Sequence, residues 1–522
     1  MLGKKILPFV IVVALVVPAG MATYYSGTRS TVKETPSIAD RGEEATDMGL
    51  ALSERMRSLP ADCGEGVAAA PLADQVMVIV DIMRLRSMTV SGPPQFYLQI
   101  FIDGEYALWW EEVYEGTDIY FEWPMAAAEL AFDEEDSIIP IQIQVWQKRP
   151  GLDRACDVSG AASPLLAGKT VTVFYDMRRG EWTGDDYLGD ANGYGHTSGF
   201  EDGDEDENDC ELWFDIYQME EGDSWWGEFD RLTSWEKEHV YGLNASRNYC
   251  NVDFNGDGIP IDWEDKYGFD PFAENSQADE DPDEDGLTNY EEYRTSQWLS
   301  DPFAQDIFIE VDGMQPRHPW GDPYIFPKQS QQIMLNPFAR RNITVHIDDG
   351  TMGGGGDLIP FDEGMDGNEL IAARLKYFLN GDENYWRRGV FHYSVICHQM
   401  EWSGRPAGGR MCYVDMHTIG GQYVRNWAPL FYMQGSDYYT AFASVFMHEL
   451  GHTLGLGSFE GIDNEKSRFP WNKEYWQWGP YESCMNYRYV YKLVDYSDGD
   501  DEDYDQNDWE VIDLTRFTRP GW

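Results

Sequence analysis

The chain has 522 residues, 93 of them acidic and 38 basic, which gives a formal charge of −55. At about 100–200 residues per domain that length makes several domains, and a 42% hydrophobic content with 20 Trp and 31 Tyr excludes disorder throughout. The sign of the charge excludes nucleic acid as a general partner, since its phosphates are repelled, and leaves divalent cations or high-salt solubility as the readings of so many carboxylates.

Lys4 and Lys5 precede an apolar run from Ile6 to Val17, followed by Pro18 and small residues to Ala22. A positive start, a short apolar middle and a small-residue end mark an export signal. A comfortable membrane span wants about 20 residues, so residues 1–22 read as a cleaved signal peptide or an N-terminal membrane anchor. The body is then extracellular or at the cell surface. Residues 23–72 are polar and rich in Ala, Gly and Glu, a linker or propeptide with one helix-like piece over Ser37–Ser58.

Over residues 73–220 the pattern changes to short β-type runs at Val76–Ile82, Phe96–Tyr106, Ile138–Gln147, Thr170–Tyr175 and Cys210–Tyr217. Turn clusters of Gly, Pro and Asp separate them, which predicts an all-β sandwich. The layout resembles a C2-like domain. Seven cysteines fit an exported chain with disulfides. A bridge between Cys397 and Cys412 is expected across two β-like runs, His392–Gln399 and Arg410–His417.

Residues 221–300 carry a weak repeat. Leu232–Glu236, Ile259–Glu264 and Leu287–Glu292 recur at spacings of 27 and 28. Asp253, Asn255, Asp257, Gly258 and Glu264 occupy positions 1, 3, 5, 6 and 12 of a twelve-residue loop, and Asp281, Asp283, Asp285, Gly286 and Glu292 repeat the series. Alternate oxygens can curl round a large hard cation, Gly permits the sharp turn, and a final Glu binds through both oxygens. The carbonyls of Ile259 and Leu287 supply position 7. These loops resemble EF-hand-like and thrombospondin type 3-like calcium repeats, which implies two structural calcium ions.

The last unit, 301–522, contains His448-Glu449-Leu-Gly-His452-Thr-Leu-Gly455. A helix over Ala441–Thr453 puts His448 and His452 one turn apart, facing the same way, where they can share a zinc ion. Water on such an ion ionises near neutrality, and Glu449 can take its proton and pass it to a leaving amine. Gly455 allows the helix to stop and the chain to turn back. Ser483-Cys-Met485-Asn-Tyr487 follows. Together these residues resemble the metzincin metallopeptidases with their methionine turn. The resemblance implies an α+β catalytic domain, with Met485 as an apolar floor beneath the metal and Tyr487 beside it, holding the oxyanion.

Upstream, strands at Asp306–Val311, Ile343–Ile347 and Gly389–Ile396 with a helix at Lys328–Phe338 agree with that layout, and Asp508–Phe517 is the expected closing helix. The family's third ligand falls six residues after the second His, where this chain has Ser458. A serine hydroxyl is a poor zinc ligand. Glu460 and Asp463 are the nearby carboxylates, and Asp463 is favoured because a longer loop with Gly457 and Gly461 can return it to the metal.

The sequence therefore reads as a multi-domain zinc endopeptidase acting on proteins or peptides: sandwich, calcium spacer, metzincin-like domain. The alternative is a non-enzymatic, calcium-binding surface or adhesion protein with a degenerate peptidase fold.

Overall fold

A computed structural model describes residues 75–518 apart from 90–91, 93, 110, 122–124, 161–168, 187–192, 204–207, 221–222, 224–229, 274–275, 403–404, 408, 414, 433–435 and 500–502; within 402–413, 427–432 and 517–518 only the backbone is described. The signal or anchor over 1–22 and the linker with its Ser37–Ser58 helix lie outside the described residues.

Two sheets share one apolar core in the first unit. Strands β1 (Gln75–Ser87), β2 (Gln95–Ile102), β3 (Glu105–Tyr106), β4 (Tyr114–Glu115), β5 (Asp118–Tyr120), β6 (Ala126–Ala131), β7 (Ile138–Gln147), β8 (Arg154–Ala155), β9 (Val171–Asp176), β10 (Glu181–Gly184), β11 (Gly195–Ser198) and β12 (Cys210–Met219) build it. One sheet runs β11-β12-β1-β5 with β6 also on β1, and the other runs β10-β9-β7-β2-β3 with β4 on β2 and β8 on β7. In β2 and β7 buried and less buried residues alternate, the period-2 signature of a strand with one face on a core. The N-terminal unit is a β-sandwich; the five runs read from the sequence fall on β1, on β2 with β3, and on β7, β9 and β12, the run Phe96–Tyr106 being broken into two strands by a turn.

β12 departs from alternation, because all ten of its residues are buried. Cys210, Leu212, Phe214 and Ile216 face the sandwich core. The intervening Glu211 and Asp215 are covered from outside. Glu211 accepts from Arg86 Nε at 2.5 Å, and Arg86 Nη1 donates to Asn336 at 2.7 Å. Asp215 pairs with Arg231 and, at 2.9 Å, with Lys266. The outer face of β12 is thus where the rest of the chain docks, through charges that are paired on burial.

Each repeat read from the sequence is one short helix: α1 (Ser234–His239), α2 (Ile261–Lys266) and α3 (Asn289–Thr295). Thr233 with Glu236 and Thr288 with Glu291 form reciprocal capping boxes. Small satellite cores hold the first two, Leu232 with Tyr249 and Ile261, and Ile259 with Trp263, Tyr267 and Ala278. Leu287 instead belongs to the large core of the C-terminal unit.

That unit comprises β13 (Asp306–Met314), α4 (Lys328–Ala339), β14 (Thr344–Asp348), β15 (Leu358–Ile359), α5 (Gly367–Ala373), β16 (Phe391–Cys397), the hairpin β17 (Met400–Trp402) and β18 (Arg405–Ala407), β19 (Gly409–Tyr413), β20 (Met416–Gly420), α6 (Gly421–Tyr432), α7 (Tyr438–Thr453) and α8 (Lys473–Gln477). Its sheet has the order β14-β13-β16-β20-β19, parallel throughout except for β19. All residues of β13, β16 and β20 are buried, as expected of parallel strands covered on both faces. The chain is therefore of mixed α and β type. Among the described residues no helix is long and apolar enough to cross a membrane.

Two expectations are corrected. Asp508–Phe517 is not a closing helix; only Leu514–Thr518 coils, as a short 3-10 turn. Asp508 turns its carboxylate inward to accept from Tyr481 at 2.8 Å, and Asp513 N donates to Leu454 O at 2.8 Å, so these groups serve neighbours rather than a helix. Cys397 is a free, buried thiol, not half of a bridge. Its sulfur lies 3.6 Å from the Ile419 carbonyl on β20. The Cys412 side chain is outside the described residues.

Candidate metal centres

Helix α7 begins at Asp437, whose carboxylate accepts from Thr440 N at 2.8 Å, satisfying an otherwise orphaned amide. Its residues from Ala441 to Gly451 are buried, with Phe446 stacked on Phe326 at 4.1 Å. At its end the two histidines sit one turn apart, and Gly455 adopts φ +105°, a left-handed conformation that costs a side chain dearly. The chain then reverses, Leu456 N donating to Gly451 O at 2.8 Å.

The ring nitrogens of His448 and His452 divide their tasks. His448 Nδ1 is 2.9 Å from Cys484 O, and His452 Nδ1 is 2.7 Å from Leu456 O. A carbonyl oxygen only accepts, so each Nδ1 carries a proton and each ring turns its Nε2 outward. Both Nε2 atoms meet Asp463, at 3.1 Å from His448 Nε2 to Oδ1 and 3.3 Å from His452 Nε2 to Oδ2. Ring nitrogens and carboxylate oxygens at such distances share protons or a cation between them.

His448, His452 and Asp463 form one of three clusters of potential metal ligands among the described residues. The donor set, two imidazoles and one carboxylate, suits zinc and leaves its fourth position for water. Asp463 lies in a left-handed backbone conformation, φ +55°, and is half-exposed, so the centre opens to solvent. Although burial opposes it, the two imidazoles hold Asp463 far below the usual carboxylate range. Burial likewise lowers His452, but Asp463 and Glu449 outweigh it and raise the ring above its ordinary value.

The remaining residues read from the motif surround this cluster. Met485 is fully buried, and its carbonyl accepts from Asp463 N at 3.3 Å, so the methionine turn and the ligand loop are stitched together. Tyr487 stacks on His448 with ring centres 5.7 Å apart, and burial together with the nearby Asp463 charge raises its hydroxyl well above the ordinary value. Glu449 is 6% exposed. Ser458 and Glu460 are not in the cluster. The carbonyls of Cys484 and Leu456 orient the rings without leaving any trace in side-chain identity.

The acidic loops differ from each other. In both, the position-6 glycine has φ +98°, a turn that favours Gly. In the first, Asp253 accepts from Gly256 N and Gly258 N, Asp257 accepts from Ile259 N at 2.9 Å, and Asn255 Nδ2 donates to Glu264 at 3.1 Å. Its carboxylates are not among the three clusters. In the second, Asp281, Asp283 and Asp285 converge, and Asp285 also groups with Glu292 and Asp306. Burial, then repulsion from Asp285, raises Asp283 to about 9, and burial raises Asp285 to about 7. Asp306, at the start of β13, has no signal in the loop motif; only its place in the fold brings it there.

No family model and no curated protein matches the chain. Among solved structures, one titled "Structure of a C2 domain" is similar at 8% identity, with a TM-score of 0.15 over 27% of this chain and 97% of that one. A structure of the paired C2 domains of extended-synaptotagmin 2 is similar at 8% identity, with a TM-score of 0.17 over 36% of this chain and 54% of that one. Likenesses this weak carry no argument about function.

Proposed function

We propose that the chain is an exported, metzincin-like zinc endopeptidase of the extracellular space or cell surface. In this reading the sandwich is a C2-like module and calcium in the acidic loops stiffens the spacer. The observation that carries the reading is the meeting of His448 Nε2, His452 Nε2 and both Asp463 oxygens, with each Nδ1 tied to a carbonyl. That is the arrangement in which second partners fix the tautomer a metal needs.

Bound there, zinc supplies Lewis acidity that polarises a carbonyl and acidifies water. Glu449, the neighbour of His448 on α7, removes the proton from the attacking water and returns it to the leaving amine. Burial and the nearby Asp463 charge keep the Tyr487 hydroxyl protonated far above neutrality, so it remains a donor toward charge growing on the peptide oxygen. Met485 supplies the apolar floor. Calcium suits the oxygen-only donors of Asp253, Asn255, Asp257 and Glu264, and of Asp281, Asp283, Asp285 and Glu292, with the Ile259 and Leu287 carbonyls.

The test is digestion of a peptide mixture by the full chain and by Glu449→Ala, with zinc measured in both. Zinc together with cleavage that disappears in the variant supports the endopeptidase. Zinc without cleavage by either protein moves the chain to the rival class, a surface or adhesion protein with a degenerate peptidase fold. Absence of zinc removes the metal centre.

A further inference from the structure

The second acidic loop is joined to the C-terminal unit by more than chain connectivity. Leu287 is in that unit's core. Asp306 N donates to Asp285 Oδ2 at 2.7 Å, and Gln305 Nε2 donates to the Asp283 carbonyl at 2.9 Å. The side chains of Asp285, Glu292 and Asp306 then meet in one group, with exposures of 1%, 1% and 4%.

Three carboxylates withdrawn from water need a counter-charge. Among the described residues no Lys or Arg is paired with any of the three. Most telling is Glu292, whose two oxygens are both buried and both lack a hydrogen-bond partner. A bidentate carboxylate aimed into an oxygen-lined space is what calcium accepts and what the smaller, strictly octahedral magnesium does not favour. Asp306 is prepared in the way ligating carboxylates are. His346 on β14 approaches its Oδ1 through Nε2 at 2.6 Å, and Asp301 N donates to Oδ2 at 3.0 Å. Each oxygen keeps a further lone pair for a cation.

We infer that the ion of the second loop takes Asp306 as an additional ligand, so that calcium clamps the repeat segment onto β13 of the C-terminal sheet. This rests on the reading that the second loop binds calcium. The ion is then more than a stiffener of a spacer. It ties the chain before the C-terminal unit to an interior strand of the sheet, with Asp306 held from β14 by His346.

The test uses the full chain with its first loop silenced by Asp257→Asn, and compares it with the same chain carrying Asp283→Asn or Asp306→Asn. Calcium binding is followed by titration calorimetry, and thermal unfolding is followed with calcium and with EGTA. Asp306→Asn is expected to weaken calcium binding by at least about tenfold, as Asp283→Asn does. It should also lose most of the calcium-dependent rise in melting temperature. In EGTA it should melt no lower than its parent, since the amide keeps the shape and removes a repelling charge. This last readout separates a lost ligand from a damaged fold. If Asp283→Asn weakens binding while Asp306→Asn binds calcium as its parent does, the clamp is wrong and the loop reading stands. If the parent binds no calcium, both fall.

Discussion

A methyl group on Gly451 would stand 2.7 Å from the sulfur of Met485 and 3.0 Å from the Tyr496 ring. Gly451 lies on α7 between the two histidines, so the helix bearing them rests directly on the methionine turn. Met485 and Tyr496 are both buried and the Tyr496 hydroxyl donates to Met447 O at 2.8 Å, so a methyl there must displace one of them. Replacing Gly451 with Ala is expected to cost about 1–3 kcal/mol, the usual range for overpacking. Zinc retention should fall with it as the floor is pushed away. Thermal melting and zinc content of purified Gly451→Ala check this; a variant that melts and binds zinc as the parent does contradicts the packing.

Asp463 is the proposed third ligand, in place of a residue at the six-residue spacing of the metzincins. Asp463→Asn keeps the shape and removes the charge. It should weaken zinc binding by more than the roughly 100-fold that loss of an outer hydrogen-bond partner costs. Ser458→Ala should leave zinc binding unchanged. Competition against a chelator of known affinity measures both, and equal affinities for parent and Asp463→Asn would place the third ligand elsewhere.

Calcium should control proteolysis of the spacer. Lys266 is tied to Asp215 at 2.9 Å, and the Arg294 guanidinium lies 4.2 Å from the Trp386 ring centre, so trypsin reaches neither while the loops are closed. Chelation with EGTA leaves the buried carboxylates of the second loop without counter-charge, and cuts after Lys266 and Arg294 should appear. Identical trypsin fragments with and without calcium would contradict a structural role for the ion.

The sandwich should lose stability in acid. Burial alone would raise the Glu211 carboxyl, but Arg86, with His196 and Arg84, outweighs it and lowers it from 4.5 to about 2. A depressed carboxylate contributes its stability fully above its unfolded value and loses it as pH falls through the folded one. The contribution, on the order of 3 kcal/mol, should therefore be whole above about pH 4.5 and vanish toward pH 2. Glu211→Gln should flatten that part of the stability profile in urea titrations; an unchanged profile would mean that the pair does not govern it.

What could be read from the sequence was local. The histidines of α7 announce their shared face by helical spacing alone, and the long core strands announce theirs by apolar alternation. β6 does not, because Ala126–Ala131 lacks β-branched residues, and the shortest strands carry too few residues for a pattern. Asp463 could be chosen only by ligand chemistry, since nothing in a sequence marks an aspartate for φ +55°. The ring-orienting groups are backbone carbonyls, invisible by residue type. Asp306 reads as an ordinary strand-edge aspartate 21 residues beyond Asp285, and only tertiary structure makes it a neighbour. The closing helix failed for the opposite reason: a pattern that suits a helix was overruled by the inward turn of Asp508.

The most direct measurement is zinc-edge X-ray absorption on the purified full chain, parent beside His452→Ala. We expect one zinc per chain with a nitrogen and oxygen shell at about 2.0–2.2 Å, free of sulfur, that loses imidazole scattering in the variant. A sulfur shell, or a spectrum that His452→Ala leaves untouched, would contradict a centre built on the two histidines of α7.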